Sequence, residues 1–278
     1  MKIKGLHTFV LLVAVIIFLA YTTVFAKQLV IPGTGANEVI LQVLATSFNA
    51  ENPQHEIVIP PSVGSGGGIR FVGTGKNILG RVARPLKDDE LQYDLEYLIF
   101  AKDMVVFAVG FKVGVENLSS QQLAEVFSGK VENWQQVGGN DERVRLLIRE
   151  QEDSSLQIIR QKLESFKNIT FSERAKVLFH DYEMVNALNK YSTTIGWLTN
   201  SSMKEVKSSV RPIAIDNIAP NQGNVYDGQY VLSGEYALVY KKKNLDQLAR
   251  KFLDFIFSKK GSRILVDNGL IPVNQQQY

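Results

Sequence analysis

Val63–Arg70 reads VGSGGGIR, a serine and three consecutive glycines followed by an apolar, basic segment. Glycine adopts positive φ and lets the backbone approach a second group closely, so the run is either a flexible turn or a cradle for something small. Upstream, Glu56–Pro60 (EIVIP) reads as a strand that runs into it. Downstream, a helix is expected from about Gly67 to Gly75, and Ile78–Val82 reads as the next strand, ending at Ala83-Arg84-Pro85-Leu86. Strand, glycine loop, helix and strand make a βαβ rhythm, which predicts parallel pairing.

The same rhythm precedes this stretch. Gln28–Pro32 (QLVIP) is a short apolar strand that runs into Gly33-Thr34-Gly35 and then a helix from about Ala36 to Ala50. Its spacing puts Val39, Ile40, Val43, Leu44 and Phe48 on one face, and Asn52-Pro53 stops it. The chain changes character near Ala101–Asp103, after which Met104–Phe111 (MVVFAVGF) reads as a long buried strand. Leu118–Gly129 is a helix opened by the capping box Ser119-x-x-Gln122. Arg145–Arg149 is a strand that leads through Glu150–Ser155 into a helix over about Ser155–Phe166. Met184–Leu198 reads as helix, turn and strand, Gln229–Lys241 as a long strand or a strand pair, and Asn244–Ser258 as a helix with Leu248, Phe252, Phe255 and Ile256 inward. Trp134 and Trp197 are expected in the core.

The N-terminus carries Lys2 and Lys4, then the apolar stretch Phe9–Ala20, then small residues at Val24-Phe25-Ala26. This is the layout of a secretory signal peptide over residues 1–26, cleaved after Ala26, the alternative being a retained membrane anchor. The chain has no cysteine, which excludes disulfides and a lipid-bearing cysteine at the cleavage site and points to the periplasm. The leader holds two lysines and no acid, so its removal lowers the formal charge from +3 to +1. The sequence pI of 8.9 is therefore no argument for a nucleic-acid partner. The remaining 252 residues (278 less 26) suit one large domain or two lobes of ordinary α/β composition.

A helix N-terminus presents unpaired N–H groups and the positive end of the macrodipole, so a loop that admits an anion there makes a binding site. Thr34–Ala36, Ser65–Gly67 and Asp153–Ser155 each set hydroxyl or small residues before a helix. Taken singly, each reads as an ordinary helix cap. Three together, with Arg149 and Arg84 at strand ends, point to an oxyanion. Arg149 also has Glu150 and Glu152 within reach for a surface ion pair, and Asp153 either caps its helix or accepts a proton from the ligand. The histidines His7, His55 and His180 are scattered, so neither a metal cluster nor a Ser-His-Asp arrangement is visible, and no cofactor or enzymatic activity is expected.

These residues resemble the phosphate-binding proteins of bacterial ABC importers, within the type II periplasmic binding proteins. The matching stretches are Gly33-Thr34-Gly35-Ala36, Ser65-Gly66-Gly67-Gly68, Ala83-Arg84-Pro85-Leu86, Leu118–Trp134 (LSSQQLAEVFSGKVENW), Arg149–Ser155 and Ile195-Gly196-Trp197. The Phe-Ser-Gly-Lys…Asn-Trp run is the most specific. The resemblance implies an α/β fold of two lobes, each a mixed sheet flanked by helices, with the ligand in the cleft. It places residues 27–103 and 223–278 in one lobe and 104–222 in the other, with crossovers near Asp103 and Gln222. It also implies a monomer that carries phosphate, or a similar tetrahedral oxyanion, to an ABC permease. A sensory or scaffold protein of the same fold, acting on a membrane partner, is the alternative.

Position by position, the resemblance makes Thr34, Gly35, Ala36, Ser65, Gly66, Gly67, Arg149, Ser154 and Ser155 ligand contacts, with Arg84 and Asp153 at the same site. Two departures stand out. The family's Ser-Gly-Thr is here Asp153-Ser154-Ser155-Leu156, and the carboxylate that accepts the ligand's proton falls at or near Arg84, which cannot accept. Either Asp153 takes that role, or the ligand is another oxyanion, or tight binding has been lost.

Overall fold

The computed structural model describes residues 27–273 apart from Glu152 and Ser208. The leader expected over residues 1–26 lies outside the described residues.

β1 (Lys27–Val30) and β2 (His55–Val58) pair in parallel with α1 (Glu38–Glu51) between them, as the βαβ rhythm predicts. α2 (Gly64–Gly73) leads to β3 (Leu79–Val82), and a parallel bridge from Gly33 to Arg81 ties that strand to the segment after β1. The chain continues through β4 (Glu96–Val109), β5 (Asn117–Leu118), α3 (Ser120–Ser128), β6 (Arg145–Arg149) and α4 (Ser154–Lys162). Then come β7 (Lys176–Leu178), α5 (Asp181–Lys190), β8 (Thr194–Thr199), β9 (Arg211–Pro212), β10 (Ala214–Ile215) and α6 (Gln222–Tyr226). β11 (Ser233–Tyr240), α7 (Gln247–Phe257), α8 (Lys259–Asp267) and β12 (Ile271–Pro272) complete it.

The sheet order β3-β11-β4-β8-β6-β7 is mixed: β11 runs antiparallel to β3 and β4, whereas β6 is parallel to β7 and β8. β4 belongs to both halves, since Glu96–Met104 pairs with β11 and Val105–Val109 pairs with β8. Between Tyr236 and Ala237 the β4–β11 register shifts, leaving Phe100 without a partner across the ladder, which is a β-bulge.

Two hydrophobic cores lie on either side of this shared strand. One gathers Val105, Phe107, Phe127, Trp134, Phe166 and Trp197, with neighbouring ring centroids 5.3 to 6.0 Å apart, and also takes Val225, Tyr230 and Leu232. The other gathers Leu41, Leu44, Phe48, Leu238 and Phe252, where Phe48 meets Phe252 edge-on at 5.4 Å. Both tryptophans are fully buried, as expected.

Three expectations change. α1 buries Ile40, Leu41, Leu44, Ala45 and Phe48, while Val39 is 72% exposed and Val43 also faces out. The helix carries apolar residues on more than one face, so spacing alone chose a stripe rotated from the true one. α2 begins at Gly64, not Gly67, because Gly64 at φ +72° turns the chain into the helix three residues early. Ser65, Gly66 and Gly67 therefore form the first turn of α2 rather than a loop ahead of it. The long strand begins at Glu96, eight residues before Met104, and the segment Gln229–Lys241 resolves as one strand.

Candidate functional site

A cleft of about 960 Å³ opens between the two cores. One wall is made by the turn Thr34-Gly35-Ala36 before α1, by Ser65 in α2 and by Ala83-Arg84 after β3. The other is made by Arg149 and Glu150 at the end of β6, by Asp153-Ser154-Ser155 at the start of α4 and by Asp181 at the start of α5. Of the predicted site residues, the structure thus brings nine to one cleft. Gly66 and Gly67 are not among its lining residues: Gly67 is buried, and a Cβ there would sit 2.9 Å from the Val63 side chain.

The first wall is built to present N–H groups. The residue before α1, Asn37, makes no side-chain cap; it is buried and its amide donates instead to the Val82 carbonyl at 3.0 Å. Val63, before α2, has no capping side chain at all. Neither N-cap residue thus supplies a side-chain acceptor; Ser62 Oγ takes Gly64 N at 3.2 Å and the Gly35 carbonyl takes Glu38 N at 3.1 Å, and the next N–H groups of each first turn are left to an outside acceptor. Thr34 Oγ1 accepts from Ala36 N at 3.3 Å, and Ser65 Oγ accepts from Ala83 N at 3.2 Å, so each hydroxyl keeps its proton for donation.

Behind this wall lies Arg81, whose side chain is fully buried. Its Nε donates to Thr34 O at 2.9 Å, its Nη2 to Pro60 O at 2.8 Å, and it pairs with Glu38 at 2.9 Å. Its own carbonyl accepts from Thr34 N at 3.0 Å, so one residue fixes the Thr34 turn from two sides. Burial lowers the pKa of this guanidinium and the Glu38 carboxylate opposes that. Arg84 reaches the cleft already paired in two places: Nη1 and Nη2 each donate to a Glu90 oxygen at 2.7 Å. That pairing pulls the Glu90 carboxyl below its usual range despite burial, and Glu90 also accepts from Lys87 N.

The second wall is centred on Arg149, 7% exposed. Nη1 pairs with Asp181, and Nη2 lies 3.0 Å from Asp153 Oδ2 and 3.2 Å from the Phe179 carbonyl, while the buried Nε–H has no partner. Asp153 caps α4, with Oδ1 accepting from Leu156 N at 3.0 Å and also from the Ser155 hydroxyl. The Ser155 oxygen in turn accepts from the Trp197 indole N–H at 3.1 Å. Ser155 is thereby committed to holding Asp153, while Ser154, at the first helical position, is exposed to the cleft.

Among the charged residues lining the cleft, Arg84, Arg149 and Lys204 balance Glu150, Asp153 and Asp181. The site has no net charge to attract an anion, so discrimination must come from directed hydrogen bonds.

Residues 22–260 match the family profile described as the PBP superfamily domain. The chain belongs to the PBP superfamily. A curated member, the phosphate-binding protein PstS of Bacillus subtilis, is 28% identical over 259 residues, covering 90% of this chain and 82% of that one. A Clostridium perfringens protein assigned as the substrate-binding protein of a phosphate ABC transporter, solved with phosphate bound, is 25% identical. It superposes with a TM-score of 0.69 over 89% of this chain and 100% of its own. An ABC-type phosphate transport receptor from Vibrio cholerae, 23% identical, gives 0.72 over 89% and 100%. The architecture is that of the type II periplasmic phosphate-binding proteins of this superfamily. Among the described residues, no helix is long and apolar enough to cross a membrane.

For this PBP-superfamily chain, sequence reasoning missed Arg81, Glu90 and Asp181. Arg81 had a signal, a charge inside the four-residue buried strand LGRV, because a cation there must be paired. Glu90 and Asp181 lie in polar stretches whose periodicity gave no reason to prefer them.

Proposed function

We propose that the protein binds inorganic phosphate, or a tetrahedral oxyanion of the same size and charge, and delivers it to an ABC permease. The observation that carries this reading is the buried Arg149 with its unpartnered Nε–H, in one cleft with two helix N-termini whose N-cap residues supply no side-chain cap. The relatives support transport over the sensory alternative: the Bacillus subtilis protein is described as phosphate-binding, and the Clostridium perfringens and Vibrio cholerae proteins as components of ABC-type phosphate transport.

In this reading the Gly35 N–H of the Thr34-Gly35-Ala36 turn and the N–H groups of the Ser65-Gly66-Gly67 turn, with the Thr34 and Ser65 hydroxyls, hold one side of the anion. Arg149 and Ser154 hold the other. Arg84 stays with Glu90 and shapes the wall. Ser155 and Asp153 act through Arg149, orienting it. A liquid-like water takes about 30 Å³, so a cleft of about 960 Å³ is far larger than a five-atom ligand needs. Binding then requires the two lobes to close, excluding water and strengthening each bond. We take the lobes as residues 27–103 with 233–273, and 104–232; the packing of Val225, Tyr230 and Leu232 in the core of Val105 and Phe107 supports a return crossover near Ser233 in preference to one near Gln222. Residues 1–26 act as a cleaved leader, and the mature chain works as a monomer in the periplasm, without enzymatic activity.

Calorimetry tests this directly. Phosphate is expected to bind with a Kd of roughly 1 μM or below, and Arg149→Ala to weaken it by on the order of 100-fold, the scale of losing charge-assisted bonds. No heat with phosphate, sulfate, arsenate, molybdate or tungstate would sink the proposal.

A further inference from the structure

The floor of the cleft carries a chain of hydroxyls that the reading above does not use. Asp103, in the shared strand β4, is 2% exposed. Its Oδ2 accepts from the Ser201 hydroxyl at 2.6 Å and from the Tyr236 hydroxyl at 3.2 Å, and its Oδ1 accepts from Ser201 N at 3.2 Å. Thr199 Oγ1 lies 2.9 Å from Ser201 Oγ and 3.0 Å from Ser202 Oγ. Thr199, Ser201, Ser202 and Tyr236 line the cleft, with Asp103 directly behind them.

Each hydroxyl has one proton to give. With Asp103 ionised, Ser201 and Tyr236 both direct theirs inward to the carboxylate. Thr199 must then donate to Ser201, and Ser202 to Thr199. Every O–H in the chain points toward Asp103, and the floor offers the cleft only oxygen lone pairs. An anion meets acceptors where it needs donors. A protonated Asp103 reverses this sense: it becomes a donor to Ser201 or Tyr236, and the hydroxyl it bonds is released to donate into the cleft.

The surroundings favour that proton. Tyr236 faces Asp103 from β11, and Asp181 acts on it from the start of α5, its charge answered by Arg149. The segment after β8 contributes Ser201 and, along the cleft, Lys204; β4 itself contributes Lys102 next in sequence. Burial pushes the Asp103 carboxyl up to about 6, the bonds from Ser201 and Tyr236 opposing it and Asp181 adding to it.

We propose that Asp103 sets the hydrogen-bond polarity of the cleft floor, so that capture of an anion is coupled to uptake of a proton by this buried carboxyl. Resting on the anion-binding reading above, this makes Asp103 a positioning residue that acts through Ser201 and Tyr236. The coupling is reciprocal: whatever factor the anion adds to the proton affinity of Asp103, the proton adds to anion affinity.

The test is calorimetry of inorganic phosphate binding to the wild-type protein and Asp103→Asn from pH 5.5 to 8, repeated in buffers of different ionisation enthalpy to count protons. The ligand's own titration is common to both proteins and drops out of the difference. The wild type is expected to take up more protons per phosphate than the variant around neutral pH. Its affinity should gain roughly tenfold more than the variant's on going from pH 8 to 5.5, the worth of one added charge-assisted bond. Equal proton counts and parallel pH profiles would overturn the proposal while leaving phosphate binding intact. No phosphate binding by either protein would overturn the functional reading and this one with it. Should Asp103→Asn fail to fold, the carbon-13 titration of the wild-type Asp103 carboxyl decides: its midpoint should rise by roughly one unit with saturating phosphate, the counterpart of a tenfold coupling, and an unmoved midpoint overturns the coupling.

Discussion

At the scale of single residues, Arg149 illustrates how a buried cation can be both held and available. Two carboxylates and a carbonyl take its Nη groups, which offsets the cost of burial, and the Nε–H remains. The two carboxylates differ. Asp153 is fixed by Leu156 N, Ser155 and Arg149, whereas the Asp181 side chain is 54% exposed and lines the cleft with Arg149 as its partner. Asp181 therefore has more room to accept the proton of hydrogen phosphate, which sulfate lacks. Asp181→Asn is expected to lower the phosphate-to-sulfate affinity ratio by about tenfold or more, and Asp153→Asn to change that ratio less while weakening both anions. A competition titration of the two variants checks this, and a larger change in Asp153→Asn would return the role to that residue. The strand-end position of Arg149 was legible in the sequence. Its partnership with Asp181, 32 residues away, was not, because only the tertiary fold juxtaposes β6 and the start of α5.

Among the elements, α2 shows why its glycines matter in a way the sequence only half revealed. VGSGGGIR suggested backbone approaching a ligand, and Ser65 does reach the cleft. Gly68 serves a different approach: a Cβ there would lie 3.0 Å from Arg81 O, Gly33 Cα and Pro32 O at once. The helix packs directly on the backbone that carries the Thr34 turn. Gly68→Ala should destabilise the protein by about 1–3 kcal/mol, the usual cost of overpacking, and displace that turn, weakening phosphate binding as well. Urea unfolding and calorimetry on the same variant measure both effects; unchanged stability would show that α2 can shift at no cost. Capping signals were the most legible part of the sequence. The expected box at Ser119 and Gln122 forms reciprocally, with bonds of 3.0 and 2.9 Å. The start of α2 was not legible, because glycine carries no periodic signal.

For the whole molecule, α/β architecture and nine of the proposed contact residues could be placed from the sequence, since strand ends and helix starts converge at one edge of a mixed sheet. The buried electrostatics could not, since the burial that raises the Asp103 carboxyl, and the bonds from Ser201 and Tyr236 that oppose it, arise only from tertiary packing around β4. Its raised carboxyl gives a stability signature of definite sign. A folded-state value of about 6 against an ordinary 3.8 means the native state favours the protonated form. The stabilisation is present below the unfolded value and disappears as pH rises through about 6. Asp103→Asn, uncharged throughout, should gain relative to the wild type by up to about 3 kcal/mol between pH 4 and 7.5. Urea unfolding at both pH values measures the difference, and a constant offset would refute the shift.

The bulge at Phe100 bears on how such a molecule would move. β4 passes from one core to the other as a single strand, with a bulge three residues before Asp103; in the two-lobed reading proposed above, the joint would be a flexure and not a slack loop. A flexure has a rest shape. Were closure to bend this strand, it would store elastic work that the ligand must hold in place, and release of the ligand would let the joint spring back unaided. Delivery would then require only that a partner loosen the anion, because the protein would reset itself.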